Sequence, residues 1–475
     1  MSKLRTREWD KSLEFIQIRY TDVLGKFLAK YLSTPADIDG FFKHGIGLDG
    51  SSIRGFAHID DSDLLLLPDI TTARMVPVSK ERMIGTVIAD VYRGFAQGRL
   101  NTDPRYASQR MQKYLEEKNM LCQLGPEVEC FILDEIKFGG KNEASIISCE
   151  EESYSRYPIM RRMGYDCPPF QDSLLEFRFE VAEILKKRYS INVTNVNHEV
   201  ASGGQIEINF NHAASLTQAA DNVQMFKDVV RNVAKRHDKV ATFMPKPFFD
   251  ENNSSKKKEE ADNGSGMHVN VSIWQADGKR NLFFDSDDAY AELSQFGRYF
   301  VGGILDHASS LSAIVAPTIN SYERLIPGFE APVYMAWARG NRSAVVRVPA
   351  VERSSAKSKR VEFRAPDPSA NPYLALSAIV AAGMDGIAKK REPADPVNEN
   401  IYKLSESRKK DLGIRPLPSS LEEAVSALKS DSAYLLQYCF ASELLQSYLE
   451  LKEQEIKEGK GEKGRSWHIR RYYDV

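Results

Sequence analysis

Four stretches of this 475-residue chain alternate, residue by residue, between apolar side chains and side chains that bind cations or phosphates. In residues 125–132, Glu127 and Glu129 fall on one face of an extended strand and Val128, Cys130 and Ile132 on the other. A rise of about 3.3 Å per residue puts the two carboxylates roughly 7 Å apart, where each raises the other's pKa unless a cation lies between them. Residues 205–210 set Gln205, Glu207 and Asn209 against Ile206, Ile208 and Phe210, with His198 and Glu199 just upstream. His268, Asn270 and Ser272 share a face in residues 267–273, as do Arg360, Glu362 and Arg364 in residues 360–364. A solvated sheet face gives the same alternation, but such a face is rich in Lys, Thr and Ser. These strands offer five glutamates and one histidine instead: Glu127, Glu129, Glu199, Glu207, Glu362 and His268. Carboxylates with one imidazole suit hard or borderline divalent cations such as Mg²⁺ or Mn²⁺, and six ligands suffice for two ions with positions left for phosphate and water.

Arginines supply the opposite charge. Arg324, Arg339, Arg342, Arg347, Arg353, Arg360 and Arg364 fall within one Gly- and Pro-punctuated window. No aromatic-basic interleaving of the single-strand-binding kind accompanies them. Placed opposite a carboxylate-metal site they serve phosphoryl transfer, whose transition state is stabilised by positioned positive charge. Neither a Walker A sequence nor a GxGxxG before a helix is present, which excludes a P-loop or Rossmann nucleotide site.

These strands need a scaffold, and the chain is long enough for one. Its 64 basic and 66 acidic residues give a net charge of −2, which excludes recruitment of nucleic acid or membrane by global charge. Five cysteines without CxxC spacing read as buried thiols of a reducing cytosol. No apolar run reaches membrane length, so a cytoplasmic protein is expected. Residues 1–103 read as strand-rich and residues 104–475 as strands mixed with long helices, with a boundary where Asp103 caps a helix opened by Pro104. The stripe Ala219, Val223, Phe226, Val230 and Val233 predicts an amphipathic helix packed on a sheet. Further helices are predicted to start at Asn371-Pro372 and at the capping box Ser420-Leu421-Glu422-Glu423.

Longer motifs then become recognisable. Asp49-Gly50-Ser51-Ser52, Gly125-Pro126-Glu127-Val128-Glu129, His198-Glu199-Val200-Ala201 and Asn263-Gly264-Ser265-Gly266-Met267-His268 occur in that order. They are followed by the run from Asn320 to Pro332, by Asn341-Arg342-Ser343, and by Arg364-Ala365-Pro366-Asp367-Pro368. Together they resemble type I glutamine synthetase from near residue 15 to the end. The resemblance implies an α+β fold: a small N-terminal β-grasp domain, residues 1–103, and a large catalytic domain, residues 104–475, with a curved antiparallel sheet and helices of the glutamine synthetase/guanido kinase-like kind. It implies a homododecamer of two hexameric rings with sites between subunits, and ATP-dependent ligation of ammonia to L-glutamate through γ-glutamyl phosphate.

The resemblance also assigns roles. Glu129, Glu199 and Glu207 would hold one divalent ion, and Glu127, His268 and Glu362 the other. Ser52, Asn263, Gly264, Arg324, Glu330 and Arg364 would meet glutamate or ammonium, while Ser272, Arg342, Arg347, Lys357 and Arg360 would meet ATP as co-substrate. Asp49 of a neighbouring subunit would deprotonate ammonium, Arg342 would act in catalysis, and Glu330 would shield the intermediate and take a proton from the attacking nitrogen. Read alone, without the resemblance, Asp49 is better explained as an Asx-turn cap before Gly50. The chain departs from the family in a polar insertion at residues 251–261 and in Asn270, which stands where many members carry a second histidine. Tyr402 stands where adenylylated members carry the modified tyrosine, whereas residues 405–418 resemble the unmodified subgroup, whose feedback arginine is replaced by His58. Neither regulatory mode, nor a nitrogen-regulatory partner, is assigned. The rival readings are a γ-glutamyl-amine or polyamine ligase of the same family and a silent nitrogen sensor. Asp49 and Ser52 favour ammonia over a bulkier amine, and the intact ligand set and Glu330 speak against the sensor.

Overall fold

The computed structural model describes residue 9 and residues 13–78, 82–94, 97–139, 144–147, 157–201, 204–249, 262–327, 329, 331–461 and 464–475. Glu330 and residues 251–261 lie outside the described residues. The N-terminal part builds a six-stranded sheet from β1 (Phe15–Thr21), β2 (Phe27–Ser33), β3 (Ile46–Asp49), β4 (Asp63–Pro68), β5 (Arg74–Pro77) and β6 (Met83–Arg93). Its order is β2-β1-β6-β4-β3 with β5 also on β6, and the central β1–β6 pair is parallel, the mixed pattern of a β-grasp.

The second sheet carries the chemistry. Its spine is β7 (Met120–Leu133), long enough to pair along most of its length with β13 (Met267–Gln275) and, at its far end, with β11 (Gln205–Phe210) and β12 (Val240–Thr242). Between β7 and β11 the chain forms a separate hairpin, β8 (Glu135–Phe138) with β9 (Ala144–Ile147), and then β10 (Val193–His198), which edges β11. Beyond β13 a short ribbon, β14 (Tyr334–Met335), precedes β15 (Trp337–Arg339), β16 (Val346–Val348) and β17 (Val361–Phe363), and β18 (Arg415–Pro416) later pairs with β14. The order is β10-β11-β7-β13-β17-β16-β15. All pairs in it are antiparallel except β15–β16. There Gly340, at φ 71°, and Asn341, whose side-chain oxygen accepts from both Ser343 N and Oγ, turn the chain back beside its own strand in the same direction.

Helices cover the apolar face. The helix Pro104–Glu117 starts where expected, with Asp103 accepting from Arg105 N and proline in the first turn. The helix Leu216–Arg236 buries the predicted stripe, and Pro372–Lys389, capped by Asn371, is buried along nearly its whole length. Most of its 18 residues are apolar because protein surrounds them; among the described residues no helix is long and apolar enough to cross a membrane. At Leu421–Ser430, Ser420 caps Glu423 N, while the Glu423 carboxylate accepts from Ser419 N one residue earlier than the standard box. The two sheets are joined by charge. Arg105 reaches Asp221 at 2.9 Å, Asp69 at 2.7 Å and Asp90 at 2.5 Å, so one buried guanidinium ties β6 and its neighbours to the helix under the second sheet.

Candidate active site

Register decides which of the polar residues meet. Pairing of β11 with β7 sets Glu207 directly opposite Glu129, and pairing of β13 with β7 sets His268 opposite Glu127. On the other flank β17 brings Glu362 opposite Asn270, and β16 brings Arg347 opposite Glu362. One ligand atom from each of Glu127, His268 and Glu362 lies within 4.8 Å of the others, a donor set and spacing that fit a divalent cation, and among the described residues no second trio is so close.

Two cavities converge on this trio. One, of about 590 Å³, is lined by Glu127, Glu129, Glu199, Glu207, His268 and Glu362 together with Asn263, Gly264, Arg324, Arg342, Arg347 and Arg364. The other, of about 400 Å³, is lined by Ser272, Lys357 and Arg360, and shares Glu127, Asn195 and Asn209 with the first. Twelve of the expected residues thus face one chamber and three the next, with Glu127 at the junction. Asp49 and Ser52 line neither. Asp49 is exposed and caps the turn Gly50–Ser52, its carboxylate accepting from Ser51 N at 3.0 Å, Ser51 Oγ at 2.7 Å and Ser52 Oγ at 2.8 Å. The hydroxyls of Ser51 and Ser52 hold that carboxyl below its ordinary range.

The two halves of the carboxylate set behave differently. Burial, and then the charge of Glu199, pushes Glu129 up to about 8; burial, and then Glu129, does the same to Glu207. Glu129 is held in place by Gln205 Nε2 at 3.0 Å and Gly266 N at 2.9 Å. Glu362 is buried too, but Arg364 at 2.6 Å and Arg347 at 2.5 Å outweigh the burial, and with His268 they keep it below the ordinary value. Burial, reinforced by Arg364, holds the His268 imidazole well below its usual pKa, neutral at pH 7 and free to offer a lone pair.

Asn270 donates to Glu127 Oε1 at 2.9 Å and accepts from Arg360 Nε at 2.8 Å, so an amide bridges an arginine of one cavity to the acid at the junction. Arg324 is fixed through the carbonyls of Ala365 at 2.9 Å and Arg364 at 3.3 Å. Sequence reasoning missed Arg162, Tyr165, Asn195, Asn197 and Phe329, which also line the larger cavity. Asn195 and Asn197 share the two-residue spacing of a strand and were findable; Arg162 and Tyr165 lie in a stretch without periodicity.

A sheet whose polar face gathers glutamates and a neutral histidine against arginines, at the seam of two chambers, defines a class of enzyme that handles phosphoryl groups with divalent cations. Residues 12–94 match the model of the glutamine synthetase β-grasp domain and residues 101–472 that of the glutamine synthetase catalytic domain. The chain belongs to the glutamine synthetase family. A glutamine synthetase of Sulfolobus acidocaldarius is 43% identical over 456 residues, 94% of this chain and 93% of its own. The cryo-EM structure of Plasmodium falciparum glutamine synthetase shares 25% identity and a TM-score of 0.84 over 98% of each chain. A structure titled as a GmaS/ADP complex shares 30% identity and a TM-score of 0.79 over 100% of each.

Proposed function

We propose that the two chambers carry out the ligation for which the family is named, glutamate in the larger and ATP in the smaller. The chain is a glutamate–ammonia ligase: it joins ammonia to L-glutamate at the expense of ATP, giving L-glutamine, ADP and phosphate through γ-glutamyl phosphate. The observation that carries the assignment of chambers is the Glu127, His268 and Glu362 trio at their junction, where a γ-phosphate and a γ-carboxylate must meet.

Glu127, His268 and Glu362 would hold one Mg²⁺ or Mn²⁺ and Glu129, Glu199 and Glu207 another; cations so held polarise phosphate oxygens and screen the charge that develops on transfer. Arg324, with Asn263 and Gly264, would orient the amino acid. Arg342, Arg347 and Arg364 would meet the phosphoryl oxygens, and Ser272, Lys357 and Arg360 the nucleotide. Asp49 and Ser52 are exposed and line neither chamber of their own chain, which supports their service to a neighbour's site in a ring assembly. There the Asp49 carboxylate, held ionised by its serines, would take a proton from ammonium. Glu330, between two residues that line the larger chamber, would receive a proton after nitrogen attack. On this reading residues 1–103 are the wall lent to a neighbour and residues 104–475 the chambers, in a cytoplasmic dodecamer.

Glutamine formation from glutamate, ammonium and ATP tests the assignment, with Mg²⁺ and Mn²⁺ compared. Glu330→Ala should abolish it. ADP release driven strongly by a polyamine and weakly by ammonium would overturn ammonia as the acceptor, and full turnover in Glu330→Ala would remove that residue from the mechanism.

A further inference from the structure

Arg324, buried in the wall of the larger cavity, is held at its tip by two main-chain carbonyls and at its root by the short helix Ser321–Arg324. The residues just before that helix, Pro317 to Asn320, are gripped from far along the chain. The Pro317 carbonyl accepts a 2.6 Å hydrogen bond from Lys452 Nζ, and the Ile319 amide donates to the Tyr472 hydroxyl at 3.3 Å. Lys452 is paired with one Glu455 oxygen at 2.9 Å, and the other accepts from the Tyr472 hydroxyl at 2.7 Å. Lys452, Glu455 and Tyr472 are all buried, so water cannot replace a bond that is lost. Burial, and then the Glu455 charge, holds the Tyr472 phenol well above its usual pKa, so it keeps the proton it donates. Gly459, closing the helix Ser442–Gly459, lies so near Ile319 that a Cβ there would collide with its side chain.

Asn320 completes the grip. Its side-chain oxygen accepts from Lys246 N at 2.8 Å, which turns the amide nitrogen toward Lys246 O at 2.9 Å and His468 Nδ1 at 3.2 Å. A donor facing Nδ1 requires the lone pair there, so the imidazole carries its proton on Nε2. Burial pushes His468 down to about 4 and keeps it in that neutral form at pH 7. Asn320 O then accepts from Glu323 N at 3.1 Å, which carries the constraint into the turn that bears Arg324. The helix Arg465–Tyr472 therefore presents His468 and Tyr472, one turn apart on the same face, to consecutive residues just upstream of Arg324.

The geometry points to His468 and Tyr472 as positioning residues for glutamate: through Asn320 and Ile319 they fix the backbone from which Arg324 reaches into the larger chamber. The inference rests on the reading of Arg324 as a residue that orients the amino acid. Neither side chain lines the chamber; each acts on the placement of the guanidinium, and lost placement shows as weaker glutamate binding.

The test uses the full-length assembled enzyme in four forms. His468→Phe keeps a ring and loses the acceptor, His468→Asn returns an oxygen near the position of Nδ1, Tyr472→Phe loses one oxygen, and Arg324→Ala removes the guanidinium. The KM for glutamate should rise about three- to tenfold in His468→Phe and Tyr472→Phe, with the KM for ATP within about twofold of the wild type, and return toward the wild-type value in His468→Asn. Amide hydrogen exchange across residues 318–325 should quicken about tenfold in His468→Phe and Tyr472→Phe, without a matching change in the helix Pro372–Lys389. No rise in the KM for glutamate, or a rise shared equally by ATP, overturns the positioning role, and unchanged exchange overturns the grip itself. Arg324→Ala with glutamate affinity unaltered in calorimetry sinks the reading of Arg324 instead. The exchange measurement decides the grip even if the protein makes no glutamine, a result that would sink the assignment of function separately.

Discussion

The like-charged pair at the centre of the sheet makes a measurable demand on protons. Glu129 and Glu207 are direct cross-strand neighbours, with Glu199 acting on Glu129, and both carboxyls sit at about 8 in the absence of a cation. At pH 7 a group of pKa about 8 is about nine-tenths protonated, so the coupled pair keeps between about one and two protons. Divalent cations bind only the ionised carboxylates, and must expel those protons. Calorimetric titration of chelator-treated protein with Mn²⁺, in two buffers of different ionisation enthalpy, reads the number released. It should lie between about one and two per subunit at pH 7 and fall toward zero at about pH 10. Over the same range affinity should rise about tenfold per pH unit for each proton released. Glu207→Gln should lower the count to below one. The sign for stability follows: a folded-state pKa above the ordinary 4.5 means that stability is full below 4.5 and is lost as pH rises through about 8. Metal-free protein should therefore lose melting temperature on the alkaline side, and Mn²⁺ should restore it. Heats at pH 7 independent of the buffer would refute the reasoning, since a set already ionised has no protons to give.

Other perturbations separate the remaining parts. Glu362→Ala leaves Arg347 and Arg364 without their buried carboxylate and should cost roughly 3–5 kcal/mol in denaturant melts as well as abolish turnover. Asn270→Ala cuts the bridge between Arg360 and Glu127; the KM for ATP should rise about tenfold while that for glutamate stays within about twofold. His307 is clasped by Asp431 at 2.8 Å and Asp385 at 2.9 Å and stacked on Tyr434; burial lowers its pKa, but the two carboxylates outweigh it and hold it above 6.5. Its contribution is complete below pH 6.5 and is lost as pH rises through the folded-state value. His307→Gln should accordingly cost about 2 kcal/mol at pH 6 and much less at pH 9, compared by thermal melts at each pH.

Alternation along a strand reports the face, and the faces of β7, β11, β13 and β17 were legible because each side chain's direction depends on its immediate neighbours in sequence. Caps were legible for the same reason: Asp103, Asn371 and Ser420 act within three residues of themselves. Register was not, because the opposition of Glu207 and Glu129 depends on pairings across 78 residues that no local pattern encodes. Arg162 and Tyr165 sit on an irregular segment whose path is set by contacts such as Gly164 N to Val200 O at 3.1 Å, next to Glu199.

The outward-facing Asp49 has a genetic consequence. In the proposed rings each chain lends its aspartate to a neighbour, so one defective copy spoils a reaction centre that is not its own. Equal mixing of chains carrying Asp49→Asn with chains carrying Glu330→Ala, each inert alone, should revive about a quarter of the centres, those where an intact aspartate meets an intact glutamate across the boundary. Dominance and intragenic complementation are then two readings of one exposed carboxylate.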